Sequence, residues 1–63
     1  MERRHALRRV RNGFWEVYDI DDDEVVFTDG VALTNLQGEE ALDALELIKG
    51  GFLIPSKRKY SRF

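Results

Sequence analysis

The sequence contains no cysteine, no long apolar run and only one histidine, and each of these features excludes a class of protein or site. Without cysteine there is no disulfide and no thiolate metal site, and because a reducing cytosol suits such a chain we expect a cytoplasmic protein. The apolar runs fall well short of the roughly 20 residues that a membrane span needs, so we expect no membrane partner.

Signatures of catalysis and of cofactor binding are also missing. The one histidine, His5, lies among arginines, and no serine or threonine is placed to pair with it as a nucleophile. The sequence has neither a glycine-rich phosphate loop nor the spacing of zinc ligands. We therefore expect a protein that is not an enzyme and that holds no cofactor and no metal.

Basic residues are absent from the middle of the chain. Residues 1–13 carry five arginines and one glutamate, a net charge of +4; residues 14–48 carry eleven acids and no lysine or arginine; residues 49–63 carry five basic residues and no acid. Such segregation is typical either of chain ends that neutralise the middle or of a charged surface that meets a macromolecule.

The densest acidic stretch, DIDDDE at residues 19–24, spaces aspartates as a calcium loop does. An EF-hand loop starting at Asp19 would need glycine at its sixth position and glutamate at its twelfth, where this chain has Glu24 and Gly30. Apolar segments that suit strands flank the stretch, whereas the motif requires helices. We interpret it as a hairpin turn.

Three segments before the middle of the chain predict strands. Asn12-Gly13 is a strong hairpin signal, which we interpret as a type I′ turn, and it favours a strand for residues 3–11. The alternative there is an arginine-rich helix capped by Gly13. After the turn, FWEVYDI has large apolar groups on both faces and predicts a central strand. Residues 25–28 predict a third strand, Asp29-Gly30 a second turn, and residues 31–33 a short fourth strand or a lead into the helix.

One helix is predicted at residues 38–49, GEEALDALELIK. Ala41, Leu42, Leu45 and Ile48 form the expected buried stripe. Leu36 is placed to pack on the first turn, Thr34 with Gln37 resembles a capping box, and Gly50-Gly51 ends the helix.

The predicted fold is therefore a small α+β domain: an antiparallel three- to four-stranded β-meander with one α-helix packed on one face. We expect this single domain to span residues 1–55, with the apolar FLI at residues 52–54 buried. Residues 56–63 would form a basic, flexible C-terminal tail.

The acids suggest a function in binding. We expect a small non-catalytic interaction protein, a regulator or inhibitor of a macromolecular partner, acting through an acidic surface that mimics nucleic acid. Glu39, Asp43 and Glu46 share one helix face because they are four and three residues apart. The candidate surface joins them to the turn and comprises Asp21, Asp22, Asp23, Glu24, Glu39, Asp43 and Glu46.

The alternative is a nucleic-acid-binding module. It would use basic residues of both chain ends to contact phosphates and the aromatic side chains Trp15 and Tyr18 to stack bases. The basic candidates are Arg3, Arg4, Arg8, Arg9, Arg11, Lys57, Arg58, Lys59 and Arg62. A sequence pI of about 5.3 makes this the second choice.

A third expectation concerns association with protein. One helix covers only one face of a sheet, so the other would expose part of Phe14, Tyr18 and Ile20, or of Trp15, Val17 and Phe27. A chain of 63 residues has a small core and gains stability by pairing. We therefore expect a protein partner, of which a second copy forming a homodimer is one possibility.

Overall fold

The computed structural model describes residues 4–56, which form two small antiparallel sheets and one helix. The α+β class and the bounds of the helix are confirmed. The predicted meander is divided, because β1, β2 and β3 form one sheet while β4 and β5 form another. No helix in the described range is long and apolar enough to cross a membrane. The elements are β1 (His5–Arg11), β2 (Phe14–Asp19), β3 (Glu24–Val25), β4 (Phe27–Thr28), β5 (Val31–Ala32) and α1 (Gly38–Lys49).

The second strand, β2, is central, as its two apolar faces predict. Along one edge it pairs with β1, so residues 5–11 form a strand and not the alternative helix. Along the other edge it pairs with β3 near Asp19, and its first half bonds to the segment before the helix. There Val17 donates its N–H to the carbonyl of Leu33 at 2.9 Å, and Trp15 and Leu36 exchange two backbone hydrogen bonds.

Both predicted turns form, but their geometries differ from the prediction. A type I′ turn needs positive φ at both central residues. At Asn12-Gly13 only Gly13 meets this condition, with φ of 79°, so the predicted turn type is wrong there. A register shift between Arg9 and Arg11 accompanies this turn, as expected where a bulge adjusts the strand twist. Asp29-Gly30, with φ of 53° and 79°, has the type I′ signs instead.

Backbone hydrogen bonds define both ends of α1. Gln37 is the N-cap residue, and its N–H donates to the Glu40 carboxylate at 3.2 Å. The predicted pairing of Thr34 with Gln37 is wrong, because the Thr34 hydroxyl bonds to Glu16 on β2. At the other end, Gly51 N–H donates to Ile48 O and Phe52 N–H to Leu47 O. These two hydrogen bonds, together with the positive φ of Gly51, define a Schellman motif. Gly50-Gly51 therefore ends the helix as predicted.

The core lies between α1 and the β2 face that carries Val17, which is fully buried. The predicted helix stripe is wrong at one position. Leu42 is 48% exposed, and Ala44 is buried in its place. Successive helix residues are turned by about 100°, so Leu42 lies at the rim while Ala44 faces the sheet. The buried residues of α1 are Ala41, Ala44, Leu45 and Ile48.

The segment after the helix differs from its predicted burial. Phe52 and Ile54 are 78% and 76% exposed, whereas only Leu53 packs against the core. Phe52 and Leu53 lie in a bend that follows the Schellman motif, and this bend turns Leu53 but not Phe52 towards the core. Ser56 exchanges two backbone hydrogen bonds with Phe27. The rest of the predicted tail, residues 57–63, lies outside the described range.

Candidate functional site

The aspartate stretch forms the turn between β2 and β3, as predicted. Residues 20–23 are the turn, and Asp23 has a positive φ of 63°. The side chain of Asp19 organises it: this aspartate is 3% exposed and accepts a hydrogen bond from the Asp21 N–H at 2.9 Å. The Asp23 N–H also bonds to the Asp19 carbonyl at 2.7 Å. The spacing that resembles a calcium loop is therefore the pattern of a turn whose first aspartate bonds its own backbone.

Arginines of the N-terminal segment neutralise part of this turn. The Arg4 guanidinium lies 3.1 Å from the Asp21 carboxylate, and that of Arg8 lies 2.6 Å from the Asp23 carboxylate. Asp22 is exposed on the same turn, and Glu24 is exposed at the start of β3. Asp21 and Asp23 at least are thus paired within the protein.

Arg8 also joins a network on the sheet face opposite α1. Its Nε donates to Glu16 Oε2 at 2.7 Å, and the Thr34 hydroxyl donates to Glu16 Oε1 at 2.9 Å. The hydrogen bond to Glu16 is the main cause that raises the pKa of Arg8; desolvation opposes it, and Asp23 adds to it. The Arg8 guanidinium lies 4.2 Å from the centre of the Tyr18 ring, where it makes a cation–π contact.

This network leaves little of the expected apolar sheet face. Tyr18 and Phe14 are half-buried beneath Arg8 and Arg11 respectively, the second contact being 4.8 Å from the ring centre. Val17 is fully buried, and Ile20 alone among the six named candidates is exposed, at 41%. The exposed apolar groups lie mainly elsewhere, in α1 and the segment after it.

Most of the described residues of the nucleic-acid alternative are engaged in contacts within the chain. Arg4 and Arg8 are paired as described, and Arg11 donates to the Asn35 side chain at 3.0 Å. Among the described arginines, Arg9 alone is exposed without such a partner. Trp15 is half-buried beside Gly38, where a Cβ would lie 3.6 Å from its indole nitrogen. Arg3, Lys57, Arg58, Lys59 and Arg62 lie outside the described residues.

The helix acids differ from Asp21 and Asp23 in their contacts with the rest of the described chain. Glu39, Asp43 and Glu46 are exposed, and none forms an ion pair with another residue of the range 4–56. They lie on the outer face of α1, whose inner face covers Val17. Arg8 and Asp23 meet on the other side of the sheet, because paired residues alternate between its faces. The structure thus separates the helix acids from Asp23, which Arg8 binds on the opposite face of the sheet.

A shallow depression beside the helix acids was missed by the sequence analysis. It has a volume of about 470 Å³ and is lined by Asp43, Glu46, Leu47 and Phe52. The signal that could have revealed it is Gly50-Gly51-Phe52, since an apolar residue just after a glycine cap commonly packs on the last turn of its helix. The prediction that residues 52–54 are buried is incompatible with this depression, because Phe52 lines it and is exposed.

The part of the chain that the structure describes contains no group of three or more histidine or acidic side chains that could hold a metal ion. The exposed helix acids and the depression make the outer face of α1, with the depression at its C-terminal end, the candidate site.

Comparison with models of known protein families, with curated proteins and with solved structures finds no match for this chain.

Proposed function

We propose that this protein is a non-catalytic interaction protein of the cytoplasm, a regulator or inhibitor that binds a macromolecular partner through the outer face of α1. The supporting observation is the contrast between the two acidic groups. Asp21 and Asp23 are paired with arginines of this chain, whereas Glu39, Asp43 and Glu46 have no ion pair within the described range. Carboxylates without a partner on a rigid helix are available to a basic surface.

The proposed binding surface is smaller than the one predicted from the sequence, because it includes only the acids of α1. A nucleic-acid mimic would present acids over a wide area, but Asp23 of the turn is bound by Arg8 on the sheet face opposite α1. The helix face offers three carboxylates, with Leu42 and Leu47 beside them at 48% and 42% exposure. A face of mixed charge and apolar area suits a protein partner better than a groove that recognises phosphates alone.

Binding of nucleic acid remains the alternative, and no contact within residues 4–56 favours it. Phosphate contact would require Arg4 and Arg8 to leave carboxylates that they already bind. Base stacking on Tyr18 would require displacement of the Arg8 guanidinium from its ring.

The test is capture of partners by the full chain from its source cells, with and without nuclease. The variant Asp43→Asn with Glu46→Gln removes two charges from the helix face. The control Glu24→Gln with Asp29→Asn removes the same two kinds of charge from exposed acids without ion pairs in the described range. We expect the helix variant to reduce capture of a nuclease-resistant partner by at least about tenfold relative to the control.

Two results would contradict the proposal. Equal capture by the helix variant and its control would show that the α1 carboxylates do not bind the partner. Disappearance of every captured protein after nuclease treatment would assign the interaction to nucleic acid instead.

A further inference from the structure

The Schellman motif holds an exposed aromatic side chain in a defined position. The backbone N–H groups of Phe52 and Leu53 both donate to Leu47 O, at 2.8 and 3.2 Å. Phe52 nevertheless remains 78% exposed, and Leu47 below it 42% exposed. A contact between these positions is usual at such a cap, but here it leaves most of the ring in solvent. The result is a large apolar group whose backbone is already ordered, the kind of residue that anchors interfaces.

Gly50 permits this position of the ring. Its φ of −83° is accessible to any residue, so the backbone conformation does not require glycine. A Cβ at this position would lie 3.1 Å from two atoms of the Phe52 ring, closer than an ordinary contact. Alanine at this position would therefore require the Phe52 ring to shift by a few tenths of an ångström.

Two carboxylates border the same depression. Asp43 and Glu46 line it together with Leu47 and Phe52, and neither forms an ion pair with a described residue. We propose that this depression binds a segment of a protein partner in which lysine or arginine flanks a large apolar side chain. The apolar side chain packs on Phe52 and Leu47 while the cations pair with Asp43 and Glu46. The inference rests on the proposed function and specifies the chemistry of its partner.

Charge complementarity favours such a segment over a second copy of this chain. Two copies meeting at this face would bring their carboxylates together, which is unfavourable in a partly dehydrated interface. Of the described cations of a second copy, Arg4 and Arg8 are bound to their own acids and Arg11 to Asn35, which leaves Arg9 and Lys49 to compensate. A foreign basic segment meets neither cost.

The binding step is tested with synthetic peptides and the full chain, followed by amide chemical shifts. The probe is a helix-forming peptide of lysine, alanine and leucine, with leucines three and four positions apart on one face. One control peptide replaces leucine by serine and a second replaces lysine by glutamate. We expect the first peptide to shift the amides of Leu47 and Phe52, and each control to bind at least about tenfold more weakly.

The matched variants are Phe52→Ser and Ile54→Ser. Both side chains are more than three-quarters exposed, at 78% and 76%, but only Phe52 lines the depression. We expect Phe52→Ser to weaken peptide binding by at least about tenfold and Ile54→Ser to leave it unchanged. An equal effect of both variants, or peptide shifts confined to residues outside the depression, would overturn the inference.

Two further outcomes separate the alternatives. A dimeric mass that Phe52→Ser returns to that of the monomer would assign the depression to a second copy and overturn the inference. If cellular capture is lost in the Asp43 and Glu46 variant but not in Phe52→Ser, the proposed function stands and the apolar anchor is refuted. If neither variant affects capture, both proposals fail.

Discussion

At the scale of single residues, Arg8 determines how one face of the sheet is closed. Its guanidinium contacts two carboxylates and one aromatic ring, and Glu16 in turn accepts from Thr34. The Glu16 side chain is only 13% exposed, so its charge is stabilised mainly by these partners. Glu16 is therefore the residue whose replacement should most disturb this face.

We predict that Glu16→Gln lowers the free energy of unfolding by about 1.5 kcal/mol, the lower end of the range for a hydrogen bond to a charged group. The pKa of Arg8 is raised, above all by Glu16. A cation with a raised folded pKa stabilises the fold below its unfolded pKa, and loses that contribution only as pH rises through the folded pKa. Since both values for arginine are strongly alkaline, the effect of the variant should be equal at neutral and moderately alkaline pH.

Urea unfolding at the two pH values measures this effect. Glu24→Gln is the matched control, because Glu24 is exposed and has no ion pair among the described residues. We expect the control to stay within about 0.5 kcal/mol of the parent protein. A loss in Glu16→Gln that disappears at moderately alkaline pH would contradict this account of Arg8.

At the scale of elements, the sequence predicts best what depends on local signals. The bounds of α1 follow from its helix formers and the glycines after it, and those of β1 and β2 follow from the turn residues beside them. The predicted third strand at residues 25–28 is wrong, because it is divided at Val26 into β3 and β4 of different sheets. Features that depend on tertiary packing are harder to predict from the sequence. The choice between Leu42 and Ala44 for the buried face depends on how closely α1 approaches the sheet, and the exposure of Phe52 depends on the direction of the chain after Gly51.

Replacement by alanine should have opposite effects on the free energy of unfolding at two glycines, Gly30 and Gly38. Gly30, in the turn between β4 and β5, has a φ of 79°, where Ala is strained although its Cβ would meet nothing within 4 Å. We expect Gly30→Ala to cost about 1–2 kcal/mol. Gly38 begins α1 without positive φ, and a Cβ there would make ordinary contacts with Trp15. Gly38→Ala should stabilise the protein by about 0.5 kcal/mol.

Thermal and urea unfolding of both variants measure this difference directly. The comparison is internal, since each variant adds one methyl group and changes no charge. Destabilisation by Gly38→Ala would show that the contact with Trp15 is tighter than the structure indicates. A neutral Gly30→Ala would show that the turn between β4 and β5 adopts another geometry.

At the scale of the whole molecule, the segregated charges of the sequence have two different roles. The excess of acids in the middle of the chain was predictable by counting, but counting could not show which acids the arginines bind. That depends on the pairing of β1 with β2, which brings Arg4 and Arg8 beside Asp21 and Asp23. Asp21 and Asp23 therefore contribute to the fold, whereas the three helix acids form no ion pair with a described residue.

This division predicts that reversing charge in the two groups has unequal effects on stability. Asp21→Lys with Asp23→Lys and Asp43→Lys with Glu46→Lys change the net charge equally. The turn variant loses two ion pairs, sets lysines against Arg4 and Arg8, and places lysine at the positive φ of Asp23. It should lose about 2 kcal/mol despite the exposure of these groups, whereas the helix variant should stay within about 0.5 kcal/mol.

The measurement is thermal unfolding at low and high salt. For a domain of this size, 1 kcal/mol shifts Tm by roughly 4–8 °C, so the turn variant should be clearly separated from the helix variant. Salt should recover part of the turn variant's loss, because repulsion among exposed charges is screened. Equal losses in the two variants would mean that the turn acids are no more involved in the fold than the helix acids. In that case, charge reversal at the turn could be used to test binding alone. The ion pairs with Arg4 and Arg8 indicate instead that such a reversal also destabilises the fold.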